Sequence, residues 1–386
     1  MDELPLALLS DILSRVSGES LLQYRIVCKR WQEVIDDSYF RNSIHRLKER
    51  AVLYHEYKKE GIYLIRIHEE AAAPRIELGK FAELRGYAIQ GTCNGLLLFQ
   101  HSTNSLKNPE LLINPFTRVV LELPRAPDLL PGMFVYGLGF DRSTKTYKMV
   151  QIKAIDFDKT TCTGTIGARI YDFNKQSWRT CKAPTLPRCT GPYPDFIFAS
   201  GALNWFLQAN SMSFRVLARV VLSFDLTKEE FSFIPIPDDF SEWGDFNMGT
   251  QMHELGGSLA LVHRPDKAHI DVWVLSDYTR REWTRKYRIR PPGMNRGHYL
   301  VGPYKRDKLI LHCKGNVYLY DVNSDRCTTC WTEADACYAL FWYESLSLVS
   351  LKYGKDAGCN AAFHLTKANE GRIQKQKKSK RKGKDG

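Results

Sequence analysis

Two cysteines three apart, Cys327-Thr328-Thr329-Cys330, form the one spacing in this chain that matches a redox dithiol or half of a zinc site. A redox dithiol needs a strand before it and a helix after it, whereas the residues on either side here alternate like a β-hairpin. Zinc would need two further ligands, and the candidates His312, Cys313 and Cys337 stand at irregular spacing. Small residues filling a strand account for the pair more simply. His253, His263 and His269 cluster in sequence but belong to no HExxH, and the chain holds no GxSxG, no GxxxxGK[ST] and no paired CxxC array. The sequence therefore predicts no catalytic residue, no metal site and no cofactor. One stretch mixes charge with rings: Arg280, Arg281, Arg285, Lys286, Arg288 and Arg290 interleave with Trp283 and Tyr287, the residue mixture of a nucleic-acid groove. Alternation along a strand would put arginine and aromatic on opposite faces, which favours a solvated edge.

The elements that would position these residues follow from composition and pattern. The chain has 386 residues, 44% hydrophobic and 25% charged, close to the globular average, with no apolar run long enough for a membrane helix. Asp2 and Glu3 stand where a cleavable signal needs positive charge, so the ten cysteines are expected to be reduced, intracellular thiols. The net charge of +12 is concentrated at one end. Residues 371–386 carry eight Lys or Arg against Asp385, and the rest of the chain is only modestly basic. That tail cannot bury enough apolar surface to order itself. Its run Lys375, Lys377, Lys378, Lys380, Arg381 and Lys382 could serve as a nuclear-import signal or a weak polyanion contact, so nucleus and cytoplasm are the expected locations.

From Pro5 to Phe40 the apolar spacing is helical. Pro5 suits a first helical turn, and Leu9, Ile12, Leu13 and Val16 recur at i, i+3, i+4 and i+7. Two further short helices are expected at 19–27 and 29–35. Three helices in forty residues make a marginal core, and such modules usually complete their burial against a partner. The string LPLALLSDILSRVSGESLLQYRIVCKRWQEVIDDSYF resembles an F-box, the module that docks a substrate receptor onto the Skp adaptor of a cullin-RING ubiquitin ligase. The Leu4-Pro5 pair, Asp11 to Arg15, Ser20 to Leu22, and Arg25 with Val27 to Trp31 carry the match. Ser17-Gly18 departs from the plant pattern of a proline after a leucine, which predicts a looser helix end. The resemblance implies adaptor binding through Leu4, Pro5, Leu8, Leu9, Ile12, Leu13, Leu21, Leu22, Val27 and Trp31.

After a charged stretch, AVLYHEY and GIYLIRI read as a hairpin. Beyond it a weak unit recurs: LLINPFTRVVLELP, RIYDFNKQSWRTC, VLSFDLTKEEFSFIPIP, VWVLSDYTRREWTRKYRI and VYLYDVNSDRCTTCW. With Asn114, Asp172, Asp225, Leu275 and Asp321 as equivalent positions, the spacings are 58, 53, 50 and 46 residues. A period of about 50 is that of a kelch-like blade, and the available length makes about six blades of a β-propeller. An irregular β-sandwich array fits the same pattern. Glycine-led runs at Gly95–Phe99, Gly201–Leu207 and Gly257–Val262 suit strands buried on both faces.

The blocks CNGLLLF, INPFTRVVLELP, YGLGFDRSTKTYKMVQI, ARIYDFNKQSWRT, FASGALNWFLQ, VLSFDLTKEEFSFIPIP and DVWVLSDYTRREWT are similar, in order, to those of the F-box-associated domain of a large plant family. The expected organisation is an all-α F-box at 1–47, an all-β kelch-like propeller at 48–366 for holding a target protein, and a disordered basic tail at 367–386. The resemblance implies a non-catalytic substrate receptor of an SCF-type ligase, with an Skp-family adaptor and an unidentified target protein as partners, and no membrane or nucleic-acid role. The alternative is a basic nucleic-acid-binding propeller whose helices oligomerise.

Overall fold

The computed structural model describes residues 4–16, 20–21, 24, 26–36, 40, 50–56, 61–66, 75–80, 84–101, 108–114, 119–127, 134–158, 163–186, 189–192, 195–209, 220–237, 250–266, 268–291, 298–304, 307–313, 316–332 and 339–343. Among the described residues, helices α1 (Leu6–Ser14) and α2 (Lys29–Asp36) precede a chain of strands. Much of the expected middle helix, and the whole basic tail, lie outside the described residues.

The strands form six antiparallel sheets, the blades of a propeller. Strands β1 (Arg50–Glu56), β2 (Gly61–Arg66) and β3 (Arg75–Lys80) build most of the first, and β4 (Tyr87–Cys93), β5 (Leu96–His101), β6 (Leu111–Asn114) and β7 (Val119–Glu122) the second. The third holds β8 (Phe134–Asp141), β9 (Thr146–Asp158), β10 (Thr163–Asp172) and β11 (Ser177–Cys181), with short β12 (Thr185–Leu186) beside β10. The fourth holds β13 (Cys189–Pro192), β14 (Ile197–Ala199), β15 (Ala202–Ala209), β16 (Val220–Asp225) and β17 (Glu230–Pro235). The fifth runs β18 (Gln251–Leu255), β19 (Ser258–His263), β20 (Ile270–Asp277) and β21 (Glu282–Ile289), and the sixth β22 (His298–Pro303), β23 (Lys308–Cys313), β24 (Asn316–Asp321) and β25 (Arg326–Thr332). The last strand, β26 (Ala339–Tyr343), returns to pair with β1, Ala51 opposite Trp342. This closes the ring, removes two sheet edges and disposes of the sandwich alternative.

The blades stack because their strands are apolar on both faces. In β5, Leu96 and Leu98 join one cluster while Leu97 and Phe99 join another, on the opposite face. In β19, Leu259 and Leu261 pack towards the fourth blade and Ala260 and Val262 towards the sixth. A strand sandwiched between blades needs this unbroken apolar run, and the glycine-led runs are these second strands. The glycine ahead of each has a geometric cause. Asn94-Gly95, Ser200-Gly201 and Gly256-Gly257 each place two consecutive residues at positive φ, the turn whose twist matches the strands it joins.

Near the axis the blades approach closely. A Cβ on Gly137 would stand 2.5 Å from the Trp205 ring, and one on Gly139 2.3 Å from Leu226. Trp205, fully buried, donates its indole N–H to the Tyr136 carbonyl at 3.2 Å, joining the fourth blade to the third. Further out, Trp178 in β11 donates to the Pro124 carbonyl after β7 at 3.0 Å, and Trp283 in β21 to the Pro235 carbonyl ending β17 at 2.7 Å. The same latch thus ties two outer strands to the blade before.

The third-to-fourth-strand turns share one local design. Asp172, Asp225, Asp277 and Asp321 each accept backbone N–H bonds from the residues two and three positions on, at 2.8–3.1 Å. Four residues after each aspartate, Gln176, Glu229, Arg281 and Asp325 adopt positive φ. The equivalent position in the fifth blade is therefore Asp277, two residues beyond the expected Leu275. A register shift between Leu275 and Asp277 in the β20–β21 ladder displaces the repeat.

Candidate functional site

The N-terminal module begins where Pro5 lacks a backbone donor and its carbonyl accepts the first helical bond from Leu9 at 3.0 Å. Asp11 and Arg15 pair at 2.8 Å across one exposed turn. From α1, Leu9 and Leu13 point inward, four residues apart, and meet Leu21, Val34, Ile35 and Phe40 in a small core with Trp31 and Tyr24 at its margin. The two rings meet edge to face at 5.4 Å. Arg30 in α2 donates to the Leu4 carbonyl, fastening the entry segment to the second helix.

What this core leaves outside is unusual. Leu6, Leu8, Ile12, Ile26 and Val27 are 48–86% exposed, and they are the large exposed apolar residues among the described ones. Leu8 and Ile12 form an i, i+4 stripe on α1, and Ile26 and Val27 lie in the turn leading to α2. An exposed apolar surface of this kind is suited to contact with another chain.

Of the ten residues expected to meet the adaptor, Pro5, Leu8, Ile12 and Val27 are exposed and Leu4 is half-buried. Leu9, Leu13 and Leu21 are buried in the module's own core and hold its shape. Trp31 packs against that core half-buried, and Leu22 lies outside the described residues. Leu6 and Ile26 were missed. The periodicity at 9, 12, 13 and 16 reads one apolar face, while the helix buries 9 and 13 and turns 12 outward with 8. An apolar residue at each of positions 4, 6, 8, 9, 12 and 13 was the available signal that α1 is apolar on more than one side.

The propeller carries no convergence of catalytic groups among the described residues. Cys327 and Cys330 both lie on β25, and burial pushes the Cys327 thiol up to about 11 and raises that of Cys330, which disfavours the thiolate that redox or metal chemistry needs. No group of three or more metal-ligating side chains occurs among the described residues. His253 lies on β18 and His263 ends β19, each with its pKa lowered by burial, the latter against the opposing charge of Asp271, while His269 pairs with Asp266 at 2.8 Å. The three do not act as a unit. The arginine-rich run spans β21, the outermost strand of its blade, with Arg280 and Arg281 in the turn before it and Arg290 just after it. There Arg285 and Arg288 reach Asp271 at 3.4 and 3.6 Å, Arg280 lies 3.9 Å from Asp277, and the Arg285 guanidinium rests over the Trp273 ring. Half of the run is thus directed at the protein's own carboxylates, which removes much of the case for a polyanion groove.

The strongest polar cluster was not legible in sequence. Lys148 in β9, 4% exposed, donates to Asp141, to the Leu226 carbonyl and to Glu229, each at 2.8 Å, and Arg179 also pairs with Glu229. Burial would raise both carboxyls, but the hydrogen bonds from Lys148, Ser143 and Thr144 to Asp141, and from Arg179 and Lys148 to Glu229, hold both well below the usual carboxylate range. The cluster joins the third blade to the fourth; it is a clasp.

A family model described as F-box-like matches residues 1–46, and one described as F-box associated beta propeller domain matches residues 76–339. F-box protein CPR1 of Arabidopsis thaliana is 24% identical over 80% of this chain and 78% of its own length. F-box protein At3g07870 of the same plant is 29% identical over 75% of this chain and 73% of its own, and F-box/kelch-repeat protein At3g23880 is 24% identical over 83% and 91%.

Proposed function

Because the chain belongs to the F-box-associated β-propeller family and carries an F-box-like module ahead of it, we propose that it is a non-catalytic substrate receptor of an SCF-type ubiquitin ligase. The observation that carries this reading is the apolar surface of the N-terminal module. Leu6, Leu8, Ile12, Ile26 and Val27 stand exposed beside a core formed by Leu9, Leu13, Leu21, Val34, Ile35 and Phe40, and an Skp-family adaptor would cover them. The propeller, with a core of its own, would hold the target. Ubiquitin transfer then needs no bond-making group from this chain: tethering raises the effective concentration of target lysines at a thioester held by another subunit. The basic run from Lys375 to Lys382 supports a nuclear share of the protein through import.

The test is co-purification with a plant Skp-family adaptor. Leu8→Asp together with Ile12→Asp places two charges in the apolar contact and should weaken adaptor binding by about 2–4 kcal/mol or more, as loss of buried interface anchors does. Undiminished adaptor binding by the double variant would overturn the assignment.

A further inference from the structure

In an antiparallel four-stranded blade, the first-to-second and third-to-fourth turns lie at the same end, so they gather on one face of the ring. In the third, fourth and fifth blades these turns touch one another. Thr227 donates to Asp141 at 3.3 Å, the Leu226 N–H to the Gly201 carbonyl at 3.2 Å and the Ser200 N–H to the Gly257 carbonyl at 2.8 Å, and Ser223 bonds the Tyr278 hydroxyl. They form one continuous surface.

The charge on this surface is sorted by sign. Its aspartates are engaged by the protein itself: Asp172, Asp225 and Asp277 hold backbone N–H groups of their own turns, and Asp141 is buried on Lys148 and Ser143. Glu229 is occupied by Lys148 and Arg179. The turn cations face outward. Arg142, Lys145, Lys175, Lys228, Arg280 and Arg281 are all exposed, and among the described residues only Arg280 lies near a carboxylate, Asp277 at 3.9 Å. Exposed Glu230 and Glu282 stand at the outer margin. Six outward cations over three adjoining blades make a field that attracts anions.

We propose that this turn face docks an acidic segment of the target protein, an extension that rests on the receptor reading above. Carboxylates fit it better than phosphates do. The backbone N–H groups that would cradle a phosphate are already bonded to the turn aspartates, leaving flexible side-chain charges as the contact.

The test uses the full chain and two fluorescent probes of equal charge, a 16-residue peptide of Glu, Asp and Gly and a short oligothymidylate. One variant reverses the face (R142E, K145E, K175E, K228E, R281E), and another changes the six basic residues from Lys375 to Lys382 to Gln. Reversal should weaken peptide binding about 30-fold or more at low salt, with the effect shrinking as salt screens it. The tail variant should change it less than about threefold, as a term of non-specific attraction. Unchanged peptide binding after reversal, or loss confined to the tail variant, overturns the proposal. Preference for oligothymidylate on the same face also overturns it and favours nucleic acid. If the five-fold variant misfolds, K145Q with K228Q gives the same comparison at smaller amplitude. Adaptor pull-down separates the two readings: a wild-type chain that binds peptide but no adaptor sinks the receptor role alone, and one that binds adaptor but no peptide sinks the docking face alone.

Discussion

The N-terminal module and the propeller use the same apolar residue types to opposite ends. In the propeller, leucines such as Leu96, Leu98, Leu203 and Leu261 are fully covered, because each blade offers both faces to neighbours and the ring closes on itself through β1 and β26. In the helical module, one side of α1 builds a core and the other side, Leu8 and Ile12, is left in solvent. A repeat ring multiplies the surfaces that bury one another, whereas two short helices cannot enclose all their own apolar surface. The difference teaches that an apolar residue is informative about function only once its covering neighbour is known.

Changes that respect the division should affect one part and spare the other. The largest effect is expected from Trp205→Ala, which removes a fully buried ring and its bond to the Tyr136 carbonyl. It should cost about 3–5 kcal/mol of propeller stability, seen as a lowered melting temperature, with adaptor binding by the surviving folded protein intact. A parallel loss of adaptor binding would show that the two parts share a core. Leu8→Asp with Ile12→Asp is the mirror case: adaptor binding falls while the propeller melts as before.

The ionic clasp comes next. The folded-state pKa values of Asp141 and Glu229 lie below their unfolded values, so the stability they contribute is fully present above about pH 4–5 and is lost as pH falls towards those depressed values. Glu229→Gln should flatten that acid-side decline in thermal unfolding curves recorded between pH 3 and pH 7, roughly the range in which unfolded carboxyls titrate. An unaltered pH profile would mean that the clasp contributes nothing net. The smallest effect is expected from Trp178→Phe, which keeps an aromatic six-membered ring in place and removes the five-membered part of the indole with the N–H bonded to Pro124. About 1 kcal/mol of stability should go, and adaptor binding should not change.

Much of the propeller was legible in the chain because its signals are local. Two consecutive positive-φ residues call for glycine at the second position, an aspartate that binds the next turn's N–H groups recurs in the third to sixth blades, and strands between blades read as unbroken apolar runs. The slip at Leu275 arose where a β-bulge adds a residue that no local pattern announces. In the module, helical periodicity found α1 but assigned one apolar face where two exist.

The sequence by itself determined the order of the elements, the blade-like repeat and the probable turns, since each depends on interactions within a few residues. Tertiary structure alone decided that β26 completes the first blade, that Lys148 meets Glu229 across 81 residues, and that Leu9 and Leu13 are inside while Leu8 and Ile12 are out. Residue type fixes the cost of leaving a side chain in water. Which side chains escape that cost depends on segments far away in the chain, and only their packing settles it.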